Sequence, residues 1–416
     1  MADIVLGPFT VDTSSGRLLR DGIAVRMRAQ AFRVLTVLLR HQGEVVDHER
    51  MIAEAWDGTL VSRHTVDVTV GEARRGLGEL GSWITSRPKV GYSFSIPASD
   101  ELVRTGRHFA ERRTREGFEH AIECFERSAA SCPADARAFE GLSVAYLGLA
   151  TFGMRPPREV YPEFLAAHER AVALGGLRAE LRSNRAHGLH LFERRYDEAE
   201  AELSASLREK PALAPTYVRL AMLYATVGRM DDALDALTRG YQVAPLLPLL
   251  PTMEMVVRFW RREFDATIAI GTKTVELHPH LQVGRAIFAQ ALEFSGRFDE
   301  ALHQYRRASV TSPDLPWLRA LEAVCLAKMG CRDQAATMLE QLQHQRQTEY
   351  VDAYFMAVLR NGLGERDAAF AELERACEEN SAWLYTLDID PKMDPFRGDE
   401  RFLRLRAALG PSSRRC

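Results

Sequence analysis

The sequence predicts a chain of two unlike parts: a small α+β domain over residues 1–98 and an all-α solenoid of helix pairs over 99–381, followed by a capping segment at 382–416. Three observations carry this reading. Up to about residue 97 short strand-like runs alternate with helical ones, whereas the chain after Pro97 reads as helix with few turns. Three series of small or helix-breaking residues share a 34-residue spacing, the mark of stacked units. Turn signals at Asp21-Gly22 and at Pro88 to Gly91 divide alternating runs in the first part.

In the first part, the runs from Phe9 to Met27 are broken by Ser14-Ser15-Gly16 and by Asp21-Gly22, so a small antiparallel sheet comes first. Ala29 to His41 places Phe32, Leu35, Leu38 and Leu39 on one face, with Gly43 just beyond. Asp47 is positioned to cap a second helix holding Met51, Ile52, Ala55 and Trp56, and Ser62 to cap a third running to about Leu80. Trp56 closes the apolar face of the second helix and is expected in the core. WITSRPKVGYSFSIP alternates as a terminal hairpin. Sheet, three helices and hairpin make a winged helix-turn-helix layout.

The segments RAQAFRVLTVLLRHQGEVVDHERMIAEAW, VSRHTVDVTVGEARRGLGEL and ITSRPKVGYSF fall in order and at the separations of one known module. Over residues 5–97 the chain resembles the OmpR/PhoB-type DNA-binding domain of bacterial transcription regulators. The resemblance implies a partner in double-stranded promoter DNA, with the third helix in the major groove. At ~100° per residue, Val66, Val70, Ala73 and Leu77 share one stripe and face the core, leaving His64, Val68, Gly71, Glu72 and Arg75 opposite. Arg63, Asp67 and Arg74 flank that side on one edge, Thr65 and Thr69 on the other; Arg74, near the helix flank, is also placed to pair with a backbone or acidic group inside the domain. Arg75 is suited to donate to guanine, Val68 to touch a thymine methyl and Glu72 to accept from cytosine N4, while Ser86, Arg87 and Lys89 of the hairpin reach phosphate or the minor groove. Positions 71 and 72 are commonly basic in the family; here they are Gly71 and Glu72.

In the second part, Pro211, Pro245, Pro279 and Pro313 are 34 residues apart, and so are Ala199, Ala233, Thr267, Ala301, Ala335 and Ala369. A third series runs through Gly228, Gly296, Gly330 and Gly364, with Arg262 at the missing step. A glycine ends the first helix of each unit, a small residue lets the second pack closely, and a proline stops it. Tyr217, Leu220, Ala221, Tyr224, Gly228, Ala233, Leu237 and Pro245 carry a resemblance to the tetratricopeptide repeat (TPR), and counting in register gives about eight helix pairs. Phe402, Leu405 and Leu409 in the tail are spaced to cover the last repeat. Val218 and Met222 lie beside the packing positions and are expected to project into a concave groove that binds a protein or peptide; self-association as a homodimer is the other partner reading.

Composition bounds the function. Lys plus Arg is 54 against 57 for Asp plus Glu, a net charge of −3, with the first 98 residues at +1 and the remainder at −4. That balance excludes a bulk nucleic-acid coat protein and confines any polyanion site to a local patch. Six cysteines match neither a CxxC pair nor a disulfide framework, and the N-terminus lacks the run of a signal peptide, so a cytoplasmic protein is expected. The apolar stretch Val243 to Val257 is cut by prolines and a glutamate and is not read as a membrane span. His187 with His190 and His278 with His280 lack further ligands at recurring spacing; they are read as surface histidines, and no metal or cofactor is expected. No phosphate loop, HExxH helix or GxSxG elbow appears, so no enzyme is expected. The reading is a sequence-specific transcriptional regulator whose solenoid receives the signal. The alternative is an adaptor whose winged helix has lost or weakened DNA binding, motivated by Gly71 and Glu72.

Overall fold

In a computed structural model, residues 4–6, 9–13, 15–20, 22–88, 90–95, 99–279, 281–312 and 315–409 are described. The chain divides into two compact units: residues 1–105 with 127–133, and residues 106–126 with 134–416.

Four short strands open the first unit: β1 (Ile4–Leu6), β2 (Phe9–Asp12), β3 (Arg17–Arg20) and β4 (Ile23–Ala24), an antiparallel meander in that order. Val11 opposes Leu18 and Phe9 opposes Arg20, so that Phe9, Val11 and Leu18 point to one side and are buried. Gly22, at φ +79°, supplies the left-handed residue that the β3–β4 turn requires. Helix α1 (Ala29–Arg40) buries Phe32, Leu35, Leu38 and Leu39, as its spacing predicts. Asp47 caps α2 (His48–Ala55), its carboxylate accepting from the Arg50 amide at 2.7 Å. Met51 and Ala55 are buried, whereas Ile52 and Trp56 only lean on the core at its edge.

A second sheet joins β5 (Val45–Asp47), β7 (Gly91–Phe94) and β6 (Ile84–Arg87) in the order β5-β7-β6. The β6–β7 hairpin was legible in the sequence; β5 was not, because Val45–Asp47 is three residues long and earns its strand only by pairing with β7. Gly91 makes that pairing possible, since a Cβ there would sit 2.1 Å from the Val46 carbonyl oxygen.

In the second unit and the helices shared between the units, sixteen helices follow one another from Ser99 to Glu379, joined as eight pairs by tight turns among the described residues. In every pair the turn between first and second helix carries a residue at positive φ: Arg113, Gly153, Arg194, Gly228, Arg262, Gly296, Gly330 and Gly364. That backbone requirement is the physical origin of the glycine series. Pro313 lies outside the described residues. The small-residue series occupies the second helices, where Ala199, Ala233, Thr267, Ala301, Ala335 and Ala369 are all fully buried.

After the last pair the chain does more than cap it. Residues 380–397 run against the first helices of several pairs. Asn380 bonds the Phe192 carbonyl at 3.1 Å, and the Tyr385 ring lies 5.0 Å from His190 and 6.1 Å from Trp260. Lys392 donates to Gln290 at 2.5 Å, and Asp390 accepts from Tyr354 at 3.0 Å. The final helix, Glu400–Ala408, buries Phe402 and leaves Leu405 and Leu409 half-covered.

Two expectations are corrected here. Val218 and Met222 do not face an open groove: they are 7% and 9% exposed, because helix-helix packing within the repeat stack closes over both. His187 and His190 are buried, not surface residues. They sit on the first helix of the third pair and its π-helical extension, Leu189–Glu193, which turns them into the stack. Burial holds both neutral, His190 pushed down to about 3. His278 is half-buried, and His280 lies outside the described residues.

Candidate nucleic-acid interface

The candidate interface is built on α3 (Arg63–Gly76). Ser62 caps it, accepting from the Thr65 amide at 3.1 Å, and Val66, Val70, Ala73 and the following Leu77 are fully buried. The helix stops at Gly76, short of the expected Leu80. Residues Gly78–Trp83 tighten into a 3₁₀ turn, and Gly81 passes so close to α3 that a Cβ would lie 2.4 Å from the Arg74 carbonyl oxygen.

The opposite face is open. Arg63, His64, Thr65 and Arg75 are exposed, and Val68 is 45% exposed. Thr69 is corrected: it is buried, and its hydroxyl donates to the Thr65 carbonyl at 2.7 Å, because its position turns it toward the core rather than the edge. Arg74 is also corrected. Its guanidinium donates to the Ile84 carbonyl at 3.0 and 2.8 Å and to Ser86 Oγ at 2.9 Å, so it braces the hairpin instead of facing outward. Ser86 shares that brace while remaining exposed, and Arg87 is exposed at the end of β6. Lys89 lies outside the described residues.

The carboxylates of this face are neutralised within the domain. Glu72 pairs with Arg28 at 3.0 Å. The Tyr92 hydroxyl and His48 both bond Asp67, which holds the Asp67 carboxyl below its ordinary range; burial and that carboxylate push the Tyr92 phenol up to about 12. Arg28, His48 and Tyr92 escaped the sequence reading because they lie 44, 19 and 25 residues from their partners. By contrast Arg63, Arg75 and Arg87 have no carboxylate partner among the described residues. A Cβ at position 71 would meet Arg75 Nη1 at 3.7 Å, ordinary van der Waals contact, so the placement of Arg75 does not require the glycine. The face therefore presents cations and hydroxyls around a small apolar centre, with the local acids already paired.

Residues 22–94 match the model of the family described as transcriptional regulatory protein, C terminal. The N-terminal domain is an OmpR/PhoB-type winged helix. Its relatives include the transcriptional regulatory protein CutR of Streptomyces coelicolor, 40% identical over 70 residues, which make up 17% of this chain and 32% of CutR. The transcriptional activator CadC of Escherichia coli K12 is 25% identical over 96 residues, 22% of this chain and 19% of CadC. The chain thus matches a third or less of each of these relatives, and the likeness is confined to the winged helix. The helical repeats are of TPR type, and their fold is similar to a monomeric IFIT1 mutant solved with m7Gppp-AAAA, at 15% identity and a TM-score of 0.51 over 79% of this chain and 84% of that one. No helix among the described residues is long and apolar enough to cross a membrane.

Proposed function

We propose that the chain is a transcriptional regulator whose winged helix binds promoter DNA in a sequence-specific way, with α3 in the major groove and the β6–β7 hairpin against the backbone. The observation that carries the proposal is the charge pairing on α3: Arg63 and Arg75 stand exposed without carboxylate partners, while Glu72 and Asp67 are occupied inside the domain. Arg75 then reads a base edge and Arg87 a phosphate, with His64, Thr65 and Val68 completing the contact surface. The TPR unit is the receiving half, taking a protein or peptide partner. Pairing of Glu72 with Arg28 at 3.0 Å weighs against one of the two departures, Gly71 and Glu72, that motivate the adaptor alternative.

The test is a fluorescence-anisotropy titration of the full chain with duplex DNA from its own upstream region, at several salt concentrations. The expected result is binding whose logarithm falls linearly with log salt, with Arg75→Ala weakening it by about 1–3 kcal/mol. Arg87→Ala lowers the salt slope by about one phosphate contact. Absence of binding at low salt, or equal affinity for unrelated duplexes together with an unchanged Arg75→Ala variant, defeats the proposal.

A further inference from the structure

The helix Arg115–Ser131, the second of the first pair, is divided between the two compact units: residues 115–126 go with the repeats and 127–131 with the winged helix. Helix Ser99–Glu111 is divided in the same way, with 99–105 in the first unit. Inside that unit the two helices are tied together, Ser99 Oγ and Ser128 Oγ sharing a hydrogen bond at 2.7 Å. The neighbouring Arg127 reaches the winged helix itself. Its guanidinium carbon lies 3.7 Å from the centroid of the Trp83 ring. A cation over an indole face is attracted by the ring quadrupole, more strongly where the ring is out of water, and Trp83 is 6% exposed.

Trp83 is the root of the hairpin. Its ring stands edge-on to Phe94 at 5.9 Å, and its carbonyl accepts from the Ser95 amide at 3.0 Å. The next residue, Ile84, opposes Phe94 in the ladder and gives its carbonyl to Arg74 of α3. From there β6 runs only to Arg87, the exposed cation at its end. In the order β5-β7-β6, β6 is an edge strand paired on one side. A strand of four residues held from one side takes its course from its root, so whatever fixes Trp83 also fixes where Arg87 points.

We propose that Arg127 is a positioning residue for DNA binding: seated over Trp83, it sets the β6–β7 hairpin so that Arg87 meets a phosphate. Arg127 lies beyond the matched residues 22–94, so the winged-helix module does not supply this contact by itself. The helix that supplies it starts among the repeats, which gives the receiving half of the chain a hold on one DNA-contacting element. This inference rests on the winged helix binding promoter DNA and adds to that reading a residue outside the module.

The experiment is a double-mutant cycle on the full chain, titrated with its own upstream duplex and with an unrelated duplex at several salt concentrations. Arg127→Met keeps an apolar stem over the ring and removes the charge; it weakens promoter binding roughly threefold to tenfold and lowers the salt slope by about 0.9, one phosphate contact. Arg127→Lys, which keeps a cation over the ring, retains most of the affinity and the wild-type slope. Arg87→Ala reproduces the loss seen in Arg127→Met, and the double variant binds no more weakly than either single one. Preference for the upstream duplex over the unrelated one survives in Arg127→Met, because α3 is untouched; a variant that had merely lost its fold would lose that preference too. Additive losses in the double variant, wild-type binding by Arg127→Met, equal weakening by Arg127→Lys, or loss of duplex preference in Arg127→Met each overturn the proposal. A wild type that binds its promoter while the cycle is additive keeps the regulator and loses this role for Arg127; a wild type that binds no DNA defeats the functional reading itself and this inference with it.

Discussion

Arginines on one short helix divide by what holds them. Arg74 and Arg75 are neighbours in sequence, but Arg74 is committed to the hairpin and Arg75 is open to solvent. Replacing Arg74 by alanine strands the Ile84 carbonyl and frees β6, and is expected to destabilise the domain by about 1–3 kcal/mol in a urea melt. Arg75→Ala leaves the melt within ~0.5 kcal/mol of wild type and acts on DNA affinity instead. A melt in which the two variants lose equal stability contradicts this division. Glu72 behaves differently from both. Its ion pair with Arg28 is on the surface, so Glu72→Gln costs ~0–1 kcal/mol of stability; by removing an anion from the DNA-facing side it should tighten promoter binding at low salt.

Among the helices, the ends decide more than the middles. The helix Ala353–Gly362 starts at Asp352, whose carboxylate accepts from the Tyr354 amide at 2.9 Å and from Ser381 Oγ at 2.8 and 2.9 Å. The group is 2% exposed, and burial pushes its carboxyl up to about 6, above the usual carboxylate range. Because the folded value is raised, the protonated form favours folding. The stabilising contribution is complete below the unfolded value near 4 and is lost as pH rises through about 6. Stability of wild type relative to Asp352→Asn should therefore fall by on the order of 2–3 kcal/mol between pH 4 and pH 7. A difference that stays flat across that window, read by thermal melts of both proteins, removes this role for Asp352.

At the scale of the whole repeat unit, the segment after the last helix pair acts as an interior element. Lys392 and Asp390 form an ion pair at 2.7 Å with side chains 7% and 1% exposed, and Gln290 Oε1 accepts a further hydrogen bond from the Lys392 ammonium. Removing one member of such a pair leaves a buried charge. Lys392→Ala should cost about 3–5 kcal/mol in urea unfolding, and the double variant with Asp390→Asn should recover a large part of it. Additive losses in the double variant would show that the two side chains do not act as a pair. The fluorescence of Trp260 and Trp383, which sit beside or within this segment, reports the change.

Local and periodic features were legible because they are properties of neighbouring residues. The caps at Asp47 and Ser62, the core stripe of α3, the hairpin of the wing and the 34-residue repeat all follow from spacing, and each is set by one turn of backbone or one helix face. The role of Thr69 was not legible, and that of Arg74 was left open between the DNA-facing edge and a partner inside the domain, since a residue at the border between two faces is assigned by what packs against it. Nor was the course of residues 380–397, whose partners lie as much as 188 residues away in the chain. Arg262 shows both sides of the division. The sequence by itself determined that a turn needing positive φ falls there, because the period requires it. Only the tertiary structure decided why an arginine occupies it, because the carboxylate it holds, Asp394, is 132 residues further on and is brought within reach by the folding of the repeats.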